Sequence, residues 1–117
     1  MPFAEPRPHR RPFHAFKITM PLTVTPKHKN VNLAVTSITV SNQSEKEKFV
    51  KVVSRGGDGD NILLMVLVRG GQTLHLSFPH PLMVGEHRKL TVIDMVPNGA
   101  LFPVTVVGYE WRSTDDN

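Results

Sequence analysis

Residues 61–71 read NILLMVLVRGG. From Ile62 to Val68 every residue is apolar, and the run sits between a polar turn and a glycine pair. A membrane helix needs about 20 such residues, so this run is far too short for one. A buried helix needs at least about 10, and the glycines close the run before that. A strand remains. A strand with one solvated face alternates apolar and polar residues. This one does not, so both of its faces need cover. As a central strand it places Ile62, Leu64, Val66 and Val68 on one face and Leu63, Met65 and Leu67 on the other. The first set is expected to line the core. The second set is expected to form a subunit interface, or to meet an N-terminal arm or an apolar loop.

Working outward, Gly70 and Gly71 predict a tight hairpin turn, because glycine supplies the positive φ such turns need. The strand after it, 72–78, alternates Leu74, Leu76 and Phe78 with His75 and Ser77. Pro79 and Pro81 are expected to end it, with a short return strand at 82–84. Upstream, 31–41 reads VNLAVTSITVS. Val31, Leu33 and Val35 share one parity, and Ile38 and Val40 share the other, so a β-bulge or bend is expected near Thr36 and Ser37. Further strands are expected at 17–25 (broken at Pro21), 48–54, 89–96 and 102–112. The total is seven or eight strands and no helix. The expected fold is all-β, an antiparallel β-sandwich of immunoglobulin-like or jelly-roll type over 16–112. Residues 1–15, rich in proline and arginine, read as an extended N-terminal arm, and 113–117 as a flexible tail.

Composition narrows the function classes. The 117 residues suit one domain that buries its own core. There is no cysteine, which excludes disulfides, thiolate metal sites and a cysteine nucleophile. The start, MPFAEPRPHRRPFH, has no apolar centre, so no signal peptide is expected. The formal charge is +4, with 14 Lys and Arg against 10 Asp and Glu. That balance permits contact with nucleic acid or an acidic protein surface without requiring it. In the arm, Arg7, Arg10 and Arg11 supply charge, and Phe3 and Phe13 supply apolar anchors. These five residues are the expected partner-binding positions of the arm.

Chemistry-bearing patterns are sparse. Six histidines include His75, His80 and His87, but their spacing does not place two on one strand face with a following carboxylate, and no metal site is expected. The run Asp58-Gly59-Asp60-Asn61 opens like a calcium loop, yet the position where a bidentate Glu belongs is Arg69, so it reads as a polar hairpin loop. Asp94 and Glu110 fall within strands and can point inward, but no paired carboxylate or nucleophile–base spacing accompanies them. No cofactor and no enzymatic activity are expected. Tyr109 and Trp111 share a strand face near Arg112 and form a possible ligand-stacking pair.

The strand motifs resemble those of small β-sandwich virion proteins of tailed bacteriophages. The positions that carry the likeness are 37–42, 71–76, 81–85, 90–92 and 104–110, reading SITVSN, GQTLHL, PLMVG, LTV and VTVVGYE. The likeness spans about residues 31–112. It implies a capsid decoration (cement), head-fibre or tail-associated protein on the virion, at the capsid surface in the favoured case. The partners it implies are capsid or tail proteins, in a homo-oligomer that is often a trimer. It carries no catalytic residue across. HLSFPHP at 75–81 and the basic arm depart from the pattern. The alternatives are a host-glycan-binding fibre or tail module and, behind it, a single-stranded nucleic-acid-binding β-domain. No membrane partner is expected.

Overall fold

The computed structural model describes residues 9–27, 30–95 and 101–112. These form eight strands: β1 (His9–Lys17), β2 (Leu22–Val24), β3 (Asn32–Ser41), β4 (Lys48–Gly56), β5 (Gly59–Val68), β6 (Thr73–Met83), β7 (Lys89–Asp94) and β8 (Val104–Arg112). They make two antiparallel four-stranded sheets, ordered β1-β8-β3-β6 and β2-β7-β4-β5. The pairs β1:β8, β2:β7, β3:β6 and β4:β5 are nested, as if one long hairpin were rolled into two layers. That nesting is the jelly-roll arrangement, and it decides between the two sandwich types the sequence left open.

Each strand turns its alternate residues into the space between the sheets. Leu33, Val35, Ile38 and Val40 of β3 meet Val50 and Val52 of β4, Leu90 and Val92 of β7, and Val104 and Val106 of β8 in one core. The parity slip in β3 is real. Its register shifts between Val35 and Ser37 against both neighbours, so Thr36 is the extra residue. Its hydroxyl donates to the Val107 carbonyl at 3.1 Å.

Several expectations need correction. Gly70 and Gly71 do not join a hairpin. β5 ends one sheet and β6 ends the other, so this turn carries the chain between layers. The Gln72 N–H donates to the Arg69 carbonyl at 3.0 Å, and Gly71 N–H donates to the Asn42 carbonyl at 2.9 Å. A Cβ on Gly70 would lie 2.3 Å from the Glu45 carbonyl oxygen, so the close approach of the 42–47 loop is what requires glycine. The consecutive hairpin within a sheet is instead β4–β5, closed by Gly56 opposite Gly59. β5 is therefore an edge strand, not a central one.

β6 also runs through Pro79 and Pro81 instead of stopping before them. It is an edge strand, and its pairing with β3 jumps from Ser77 to Leu82, so the prolines sit where the ladder is already interrupted. The expected break at Pro21 separates β1 from β2, and the Met20–Pro21 peptide is cis. The expected arm enters the fold earlier than its composition suggests. From His9 on it is β1, paired with β8 along nine residues. Pro12 is tolerated because β1 lies at a sheet edge.

Candidate assembly interface

The β4–β5 register shifts between Val52 and Val53, which leaves Leu63 as an inserted residue. The insertion swaps the faces of β5 partway along. Val68 is buried in the core, and Leu64 and Val66 on the same side, with Leu63, are partly buried against it. Ile62 is carried to the other side, opposite Val53. So Ile62 leaves the core set, and Leu63 leaves the expected interface set; Met65 and Leu67 remain where the alternation put them.

Register then lays out the outer face of the β2-β7-β4-β5 sheet row by row. Met95, Phe49 and Leu67 stand side by side; Ile93, Lys51 and Met65 form the next row; Thr23, Thr91, Val53 and Ile62 form the third. Arg55 and Asp60 close the face as an ion pair at 3.0 Å. Phe49, Ile62, Met65 and Leu67 are 49%, 57%, 44% and 39% exposed. Large apolar side chains thus lie together on a surface that the core does not use. Val53 and Thr91, in the middle of the third row, are already buried.

The other sheet presents a different outer face. Its rows read Pro12, Tyr109, Ala34 and Met83; then His14, Val107, Ser37 and Ser77; then Phe16, Thr105, Thr39 and His75. Hydroxyl and imidazole groups there satisfy one another, with Thr39 Oγ1 2.7 Å from His75 Nδ1 and Ser41 Oγ 2.9 Å from Thr73 Oγ1. Tyr109 and Trp111 share this face and are half-buried. The Arg10 guanidinium lies 5.2 Å from the Tyr109 ring centroid, so one face of that ring is occupied from within the chain.

The remaining sequence candidates are dispersed. Phe13 packs against the core from β1, and Arg10 and Arg11 are exposed on the same strand. Phe3 and Arg7 lie outside the described residues. Among the described residues no three His, Asp or Glu side chains converge in a way that could hold a metal. The two acids of the supposed calcium loop are each held by an arginine. Asp60 pairs with Arg55, and Asp58 pairs with Arg88. The hydrogen bond from Arg88 holds the Asp58 carboxyl below its ordinary range, and that from Arg55 does the same for Asp60. Phe49, Ile62 and Met95 are the surface residues the sequence reading did not select. Phe49 was legible, since it alternates with Val50 and Val52; Ile62 was not, because a one-residue bulge leaves no mark inside an unbroken apolar run.

No protein-family model matches this chain, and no curated protein does. Solved structures are similar to it. The NLP core of Drosophila, whose crystal structure is described as giving insight into pentamer formation and histone binding, is 11% identical, with a TM-score of 0.53 over 93% of this chain and 100% of that one. PirA is 15% identical, with a TM-score of 0.43 over 92% of this chain and 96% of that one. At this level of identity the Drosophila likeness is one of fold.

Proposed function

We propose that this chain is a non-catalytic structural subunit that assembles with copies of itself through the outer face of the β2-β7-β4-β5 sheet, and that the assembly decorates a larger protein shell. The observation that carries this reading is the contrast between the two outer faces. One has a hydroxyl and imidazole network along β3 and β6, and its exposed apolar side chains, Phe16 and Met83, stand apart on opposite edge strands. The other clusters Phe49, Ile62, Met65 and Leu67 in the open. Contiguous apolar surface of this kind is uncommon on a monomer and resembles the centre of a homo-oligomer interface.

The jelly-roll fold agrees with this reading, since the Drosophila protein of the same fold is described in terms of pentamer formation. The phage virion likeness of the strand motifs points to a trimer, so both ring sizes are to be counted. The same likeness supplies the shell: a capsid or tail surface. A decoration protein that binds the assembled shell better than its free subunits stabilises it by mass action. Joining several copies raises the effective concentration of each remaining contact.

Electron microscopy of purified particles labelled with antibody against this chain tests the shell. Label at regular positions on heads or tails is the expected result. Particles free of label, from cells in which the protein is abundant, would remove the virion assignment while leaving self-assembly to be judged separately.

A further inference from the structure

A cleft of about 440 Å³ opens at the edge of the sandwich where β1 of one sheet meets β2 of the other. Phe13, Ala15 and Val24 give it apolar walls, Thr25 and Lys27 stand at its exposed rim, and Glu110 of β8 reaches it from the core side. Glu110 occupies a position that strand alternation assigns to the interior. Phe102, Val104, Val106, Gly108 and Glu110 are buried in succession. At Gly108 the neighbouring strands of the same sheet crowd in, since a Cβ there would lie 2.1 Å from the Ala34 carbonyl oxygen of β3 and 3.0 Å from Phe13 of β1. At the next inward position the Glu110 carboxyl lines the cleft.

That carboxyl is only half satisfied. Oε2 accepts the Lys27 backbone N–H at 3.1 Å. Oε1 is buried and has no hydrogen-bond partner, and among the described residues it is the one buried side-chain polar atom in that condition. The residue as a whole is 6% exposed. Asp94, the other inward carboxyl, is answered by Lys48 Nζ at 2.9 Å. A buried acceptor without a donor carries an uncompensated desolvation cost, which a ligand that donates to it would recover.

The surroundings select the kind of donor. Lys27 stands at the rim, and Arg11 lies opposite Glu110 on the same side of the β1:β8 pair. A cationic ligand would meet those charges, whereas a neutral hydroxyl would not. A sugar ring offers several hydroxyls that both donate and accept, with apolar C–H faces suited to Phe13, and the cleft has room for one ring. We infer that this cleft binds a neutral polyhydroxylated ligand, a single sugar residue, with Glu110 Oε1 accepting a hydroxyl and Lys27 and Thr25 serving as rim partners. Binding requires the exposed side chains of Lys27 and Thr25 at the rim to move aside, since Oε1 is itself buried. The cleft lies between the two outer faces: Pro12 and His14 on its lining border the Tyr109 face, and Thr23 borders the apolar face, while Trp111, Phe49, Ile62, Met65 and Leu67 do not line it.

Saturation-transfer NMR and calorimetry on the full chain test it, with glucose, galactose, mannose and N-acetylglucosamine as probes and methylguanidinium and butylamine as the cationic arm. Saturable binding of at least one sugar is expected. Glu110→Gln should weaken it tenfold or more, and Trp111→Ala should leave it unchanged. Lys27→Ala, which keeps the backbone N–H, is the second variant should Glu110→Gln fail to fold, and it should weaken binding several-fold. No saturable sugar binding, binding indifferent to both Glu110→Gln and Lys27→Ala, or saturation by the cations alone would each overturn the inference.

Discussion

Two carboxyl groups turn into this sandwich, and they meet opposite fates. Asp94 is buried beside Lys48, whose ammonium is buried with it. Glu110 keeps one oxygen without a donor. Removing one partner of a buried pair leaves the other charge uncompensated, which costs more than the pair contributes. Asp94→Asn is therefore expected to destabilise the fold by about 3 kcal/mol, read as a lower urea midpoint with unchanged slope. The sequence showed that both acids lie in strands and can face inward. It did not show that Lys48 answers Asp94, because the pairing joins two strands 46 residues apart through a neighbour relation that only the topology creates. Nor could it show the cleft at Glu110, which arises where the edge strands of two different sheets separate.

At the scale of elements, legibility followed the strength of local pattern. The slip in β3 was visible because its apolar parity flips within one strand. β1 was hidden, since arginine, histidine and proline mask a strand whose edge position tolerates them. The glycine pair after β5 was misread because a hairpin and a crossing between layers use the same turn chemistry. The faces of β5 now make a sharp distinction between adjacent residues. Val66 packs on the core, and Met65 points out. Val66→Lys is expected to cost about 2 kcal/mol by replacing apolar packing on the core with a charge, and Met65→Lys no more than about 0.5 kcal/mol in the isolated subunit, as measured by urea unfolding at low protein concentration. The β4–β5 hairpin contributes a pH dependence. Arg88 donates to Ser54 Oγ at 2.6 Å and to the Ser54 carbonyl at 2.9 Å, and pairs with Asp58 beyond it. Because Asp58 titrates below its ordinary value in the folded chain, its stabilisation is present above the unfolded carboxylate range and is lost as pH falls through the depressed one. The melting temperature of Asp58→Asn should lie slightly below wild type at neutral pH and converge with it in acid.

At the scale of the whole molecule, the sandwich is asymmetric by face. The all-β class, the strand count and the apolar run at 62–68 were legible because alternation, turn residues and β-branched composition agree. Which face stays apolar was only partly so, because it depends on the bulge at Leu63 and on β5 standing at an edge. The consequence is a surface of Phe49, Ile62, Met65 and Leu67 that only another apolar surface can cover well. Two lysines on that face, Phe49→Lys with Leu67→Lys, would oppose burial against a second copy without touching the core. Sedimentation equilibrium on the wild-type chain and this double variant tests whether this face joins copies of the chain. A closed oligomer of defined size is expected for wild type and a folded monomer for the double variant. A wild-type chain that stays monomeric throughout the accessible concentration range, or a double variant with the same subunit number as wild type, would contradict it.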